Sequence, residues 1–271
     1  MSILEKINYS ITGPSDGRRW VFVHGLMGFS NNWQRITNGL NQTETCLTYD
    51  QRGHGKSFKP DSGYMPEDFA QDLKDLTDAL GWDRFILVGH SMGGRNVLVF
   101  ASLFPEKVEK LIVEDIGPEE NHTSYEYYEK LLNAVPTPFA SRDQARDFFK
   151  QEFPSRVNVR EPTSVLGAFL YANLEEKSSG VWDWKFSKAG ILETVRLGRL
   201  HDRWKDVESL KMPTLWIRGG NSKELKPEIY HKILQSSQLI QGVEIPGAGH
   251  WIHSEKPQEF LQAVKNFVGG F

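Results

Sequence analysis

Residues 85–94 read FILVGHSMGG. Four consecutive apolar residues, Phe85 to Val88, deliver a serine into a turn with glycine on both sides, and a helical pattern, MGGRNVLVFASLFPEKV, follows at once. The stretch fits G-x-S-x-G between a strand and a helix, the context that gives this short pattern its meaning. A strand-to-helix turn this sharp strains the serine backbone and projects its hydroxyl from the sheet edge. Flanking residues without Cβ atoms avoid collision in such a turn. The helix that starts behind the serine offers unpaired N–H groups and the positive end of its dipole, both suited to a developing oxyanion.

A nucleophile on a strand end needs a sheet around it, and the chain supplies one. Short apolar runs recur as WVFVH (20–24), TCLTYD (45–50), FILVGH (85–90), KLIVED (110–115), TLWIR (214–218) and VEIPG (243–247). They are apolar on consecutive positions, which is how strands covered on both faces read. Helical patterns alternate with them. PEDFAQDLKDLTDALG places Phe69, Leu73, Leu76 and Leu80 on one face, and KPQEFLQAVKNFV closes the chain. The expected fold is α/β: a mostly parallel central sheet flanked by helices. From about Glu119 to about Val207 no convincing strand interrupts segments such as YEYYEKLL, RDFFKQEF and VWDWKF. We read residues 119–207 as a helical cap inserted between two sheet strands, over a core made of 1–118 and 208–271. Ligands of open α/β sheets bind at the carboxyl ends of the strands, where such a cap would sit.

Composition excludes several alternatives. Of 271 residues, 39% are hydrophobic and 25% charged, and the net charge is −3 from 32 basic and 35 acidic residues. No block of either sign stands out, so nucleic acid and membrane surfaces are not expected partners. No run approaches the ~20 apolar residues of a membrane span. MSILEKINYS is too polar for a signal peptide, and the chain reads as cytoplasmic. Cys46, the one cysteine, lies in an apolar run and reads as a small core residue.

A serine needs a base. Among eight histidines, His250 in PGAGHWIHSEKP lies just past the last strand and before the last helix, in a loop of small residues. His253 follows the bend. His54 reads as structural, His90 is expected to point away from the serine oxygen, and His122, His201 and His231 read as solvated. No His/Cys cluster has metal-ligand spacing and no G-x-G-x-x-G follows a strand, so neither metal nor cofactor is expected.

VHGLMG (23–28), DQRGHGKS (50–57), GHSMGG (89–94) and GAGHW (247–251), in this order, resemble the α/β-hydrolase superfamily over nearly the whole chain. Within it, GHSMGG with VEDIGP and IRGGNS is similar to small esterases of the YbfF type and their eukaryotic ABHD-type relatives. The resemblance implies a nucleophile at Ser91, a general base at His250, and an oxyanion hole from the backbone N–H groups of Leu26 and Met92. It also raises a difficulty. Where most members carry an acid after the strand TLWIR, this chain has Asn221 and Ser222, with Glu224 the only acid nearby. In the YbfF-like group an aspartate in a D-I-x-P setting takes the role, and Asp115 aligns with it. Asp115 is therefore the expected acid, with Glu224 and Glu114 as alternatives.

A serine rather than an aspartate in the elbow argues for acyl transfer to water. The expected substrate is a small-molecule ester of short to medium acyl chain, with Phe139, Phe148, Trp182, Trp184 and Trp204 walling an apolar site. A thioester, a lactone or a carbon–carbon bond would use the same residues. A ligand receptor of this fold, with Asn221 marking a disabled site, is the reading from a different class.

Overall fold

The computed structural model describes residues 2–157 and 162–269. Among the described residues nine strands occur, in chain order: β1 (Tyr9–Thr12), β2 (Arg18–Val23), β3 (Glu44–Tyr49), β4 (Phe85–His90), β5 (Val108–Glu114), β6 (Leu174–Glu176), β7 (Trp182–Trp184), β8 (Thr214–Gly219) and β9 (Ile240–Ile245). Seven form one sheet in the order β1-β3-β2-β4-β5-β8-β9. Only β1 runs antiparallel to its neighbour. The six apolar runs read from the sequence correspond to six of these strands. β1 was not among them, because its four residues are half-buried or exposed throughout.

Both faces of the sheet are covered, and successive residues alternate between two cores. Val21, Val23, Phe85, Leu87, Leu111, Val113 and Trp216 pack with the helices Pro66–Ala79, Met92–Leu103 and Pro227–Ser236. Trp20, Phe22, Ile86, Val88, Ile112 and Leu215 pack on the other face with the closing helix Pro257–Gly269. β4, central in the sheet, is buried at every position. After β2 the chain pairs outward to β3, and β4 then returns to the other side of β2. The carboxyl ends of β2 and β4 thus border the crevice where such sheets bind ligands.

Between β5 and β8 the chain forms a mainly helical excursion, of which residues 158–161 lie outside the described residues. Its helices include Ser124–Asn133, Thr163–Ala172 and Lys188–Gly198, and its apolar residues cluster around Leu132, Phe153, Leu170 and Ile191, joined by Met27 from the turn after β2 and with Leu26 and Trp251 packed against them. It also contains β6 and β7, an antiparallel pair, which corrects the expectation of no strand between Glu119 and Val207. Three residues per strand, one of them reading Leu-Glu-Glu, leave no apolar run to detect.

One side chain ties both ends of this excursion to the helix behind Ser91. The Arg95 guanidinium, 3% exposed, donates to the carbonyls of Gly117 and Glu119 on the outgoing chain and of Gly198 and His201 on the returning chain. Burial pulls its pKa down to about 9, so it remains charged at neutral pH. Among the described residues no helix is long and apolar enough to cross a membrane.

Candidate active site

Ser91 follows β4 directly and caps the helix Met92–Leu103 with φ 54° and ψ −120°. Few L-residues hold this conformation, and such strain persists only where the surroundings enforce it. Here the Ser91 N–H donates to the Glu114 carbonyl at 3.0 Å, and its own carbonyl accepts from Arg95. The glycines on either side are required by space. A Cβ on Gly93 would lie 2.5 Å from the carbonyl oxygens of Val23 and His24, and one on Gly89 would lie 2.5 Å from the Gly93 carbonyl.

The fold brings Ser91, His250 and Asp115 together from three separate segments. His250 Nε2 lies 2.9 Å from Ser91 Oγ, and Nδ1 lies 2.7 Å from Asp115 Oδ2. Asp115 follows β5, the strand paired with β4, so its end lies beside the end that carries Ser91. It is fully buried, with φ 51°. Its carboxylate accepts from the Gly219 N–H at 3.0 Å and from the Ser222 hydroxyl as well as from His250. The last residue of β8 and Ser222 just beyond it, both neutral, thus contribute donors to an acid that follows the neighbouring strand. The Glu224 N–H in turn donates to Ser222 Oγ at 3.1 Å.

The two alternative acids have other partners. Glu224 pairs with Arg199. The Glu114 carboxylate accepts from His253, at its backbone N–H and at Nδ1, each at 2.9 Å. His90 is buried below the serine, and its Nε2–H donates to the His250 carbonyl at 2.9 Å. Burial, reinforced by the neighbouring histidines, holds His90 well below the usual imidazole range. The donor atoms of His90, Glu114 and His253 lie within 4.8 Å of one another. These residues are far apart in sequence, so spacing along the chain gives no sign of the cluster. Two of its ring N–H groups are engaged as hydrogen-bond donors.

Leu26 lies just past β2, beside the serine. The Met27 N–H donates to His54 Nε2 at 3.2 Å, and the Gly28 N–H donates to the Gly25 carbonyl at 3.0 Å. The N–H of Leu26 has no acceptor among the described residues, nor does that of Met92 at the first position of its helix. His54 is fully buried, its Nδ1–H donates to the Arg52 carbonyl, and burial lowers its pKa to about 3. His24 is buried too and accepts the Gln51 N–H at Nε2, 3.0 Å away, so this turn is held by two neutral imidazoles.

Two cavities of about 40 and 50 Å³ meet at Ser91 and share Leu26, Tyr128 and Glu224. One is polar in part, with Arg95, Asn96, Thr194 and Arg199 on its wall. The other contains His250 and is lined by Tyr127, Leu131, Leu166, Phe169 and Trp251. The five aromatics expected to wall the site do not line either cavity. Phe139, Phe148, Trp182 and Trp184 pack within the excursion's own cluster, and Trp204 packs against the main core under Lys232. An aromatic residue on a helix or hairpin faces either core or cavity according to how the element is rotated, which composition does not reveal. Trp251 had a local signal, its place next to His250; Phe169 had none.

A family profile described as alpha/beta hydrolase fold matches residues 21–257. The sn-1-specific diacylglycerol lipase ABHD11 of Mus musculus is 33% identical over 254 residues, covering 92% of this chain and 80% of that one. Esterase YbfF of Escherichia coli strain K12 is 28% identical over 250 residues, 92% of each chain. The solved structure of a marine microorganism esterase matches with a TM-score of 0.83 at 28% identity, covering 97% of this chain and 99% of that one.

Proposed function

We propose, from the premise that the chain belongs to the alpha/beta-hydrolase family and is a hydrolase, that it cleaves carboxylic esters of short to medium acyl chain through an acyl-serine intermediate. The observation that carries this reading is the run of hydrogen bonds from Asp115 through both ring nitrogens of His250 to Ser91 Oγ. Ser91 Oγ attacks the ester carbonyl while His250 Nε2 takes its proton. The oxyanion is held by the N–H groups of Leu26 and Met92, and losing one such donor typically costs ~3–4 kcal/mol. His250 then passes the proton to the departing alcohol oxygen. A water, deprotonated by the same nitrogen, hydrolyses the acyl-serine. Asp115 keeps the proton on Nδ1 and balances the imidazolium. Residues 119–207 act as the cap over these groups.

The sizes of the two cavities support short groups. A water needs about 10–15 Å³ of such space, so cavities of about 40 and 50 Å³ suit a few heavy atoms each. The two relatives named above, a lipase and an esterase, support an oxygen ester over other bonds. The receptor reading rested on Asn221; the contact between Asp115 and His250 favours turnover instead.

The test is hydrolysis of p-nitrophenyl acetate, butyrate and octanoate, with a thioester and a lactone alongside. Turnover of acetate and butyrate, falling for octanoate and absent in Ser91→Ala, is the expected result. Cleavage confined to the thioester or the lactone would move the reading to that bond. Inertness toward all five, with slow labelling by a fluorophosphonate, would overturn it in favour of a receptor.

A further inference from the structure

β5 ends at Glu114 and Asp115 follows at once, and each of these acids meets a histidine of one short segment. Asp115 bonds His250 and Glu114 bonds His253, three residues on. We propose that Glu114, His253 and His90 form a buried positioning assembly that sets the height of the His250 ring over Ser91. This rests on the esterase reading above, in which His250 is the proton carrier.

The hydrogen bonds of the assembly act on the backbone around His250, and His90 also packs against its ring. The His250 carbonyl accepts from His90 Nε2–H, and the His253 N–H donates to Glu114. On the approach, the Ala248 carbonyl accepts from the Asn221 N–H at 2.8 Å, and the Gly249 N–H donates to Glu255 at 2.8 Å. The loop that carries His250 is thereby tied on both sides. His90 immediately precedes Ser91 and Glu114 immediately precedes Asp115, so the residues that hold the loop are the chain neighbours of those the loop must meet. The three imidazoles pack together: the His90 ring lies 4.7 Å from that of His250 and 4.9 Å from that of His253. Trp33 stacks on His253 with ring centroids 4.3 Å apart.

Glu114 is fully buried, and His90 and His253 are each 3% exposed. A carboxylate in such a place needs hydrogen-bond donors, and His253 provides two. The assembly is a buried, hydrogen-bonded reference for a catalytic base, and a base displaced by about 1 Å can lose on the order of 10²-fold in rate.

The experiment compares His90→Phe, Glu114→Ala and Glu114→Gln with the wild type. Readouts are kcat and KM on p-nitrophenyl acetate, and the low-field proton resonance of the His250–Asp115 hydrogen bond. His90→Phe keeps a ring and leaves no buried charge behind, so it decides the matter if Glu114→Ala fails to fold. The expected result is a drop in kcat of about 10–100-fold at unchanged KM in His90→Phe and Glu114→Ala, with the low-field proton lost or shifted. Glu114→Gln should recover activity relative to Glu114→Ala, because its amide oxygen still accepts from His253. Folded variants that are less heat-stable but keep wild-type kcat and the wild-type resonance would overturn the proposal. A wild type inert toward esters whose low-field proton is nevertheless lost in His90→Phe would sink the substrate reading and leave the positioning role standing.

Discussion

The Ser222 hydroxyl donates to the same carboxylate oxygen of Asp115 that holds His250 Nδ1. The position where many members of this family carry an acid is thus occupied by a donor to an acid on the neighbouring strand. Asp115→Asn is expected to lower kcat by about 10³–10⁴-fold, because an amide favours the wrong imidazole tautomer. Ser222→Ala removes one of the donors to the carboxylate and should cost about tenfold in kcat, or about 1.4 kcal/mol. Steady-state kinetics on p-nitrophenyl acetate, with folding checked by circular dichroism, distinguishes the two. Wild-type kcat in a folded Asp115→Asn would remove Asp115 from the mechanism.

Ser91 trades stability for position. A serine at φ 54°, ψ −120° carries strain on the order of 1–3 kcal/mol, and glycine tolerates that conformation. Ser91→Gly should therefore abolish ester hydrolysis and raise the thermal midpoint by about 2–4 °C, the shift that ~1 kcal/mol produces in a chain of this size. A lower midpoint than the wild type would contradict the strain argument.

Acid should destabilise the fold through its buried imidazoles. Burial lowers the pKa of His24, His54 and His90 from the ordinary 6.5, that of His54 to about 3. Below about pH 6.5 the unfolded chain binds protons that the folded chain refuses, so stability falls as pH drops from there toward 3. Thermal midpoints measured between pH 7 and pH 4.5 should decline, and the decline should be shallower in His54→Gln. An unchanged slope in that variant would mean that His54 does not contribute.

Cys46 is 1% exposed, and burial pushes its thiol up to about 12. The native protein should not react with a disulfide reagent such as DTNB over minutes, whereas protein unfolded in guanidinium should release one thiol per chain. Rapid reaction of the native state would show that the sheet opens between β3 and its neighbours around Cys46.

What the sequence makes legible follows from how much of the signal is local. β4 and β8 are buried at every position, and such strands appear as plain apolar runs. β1 lies at the sheet edge, half in solvent, and resembles a loop. Ser91 is recognisable because the turn needs glycine at 89 and 93, a requirement written within five residues. Glu114 and Asp115 are adjacent acids that meet different histidines, and nothing local in the sequence says which of them faces His250, so that choice came from a resemblance. The cavity walls were the least legible part. Tyr128 and Phe169 pack on the same apolar cluster as Phe139 and Phe148 but also line the cavity, whereas Phe139 and Phe148 are buried within the cluster, a difference of side-chain direction that composition does not carry.

The four carbonyls gathered by Arg95 also bear on how the chain closes its largest excursion. Gly117 and Glu119 leave the sheet within one guanidinium's width of where Gly198 and His201 return. Loop-closure entropy grows only with the logarithm of length, by about 0.6 kcal/mol for each doubling. With the ends clasped at a fixed separation, lengthening or replacing the stretch between them changes this penalty little and leaves the strand pairing of β5 with β8 untouched. The expected consequence is that the excursion can be exchanged: a graft of different length that preserves those four carbonyls should leave the sheet beneath able to fold.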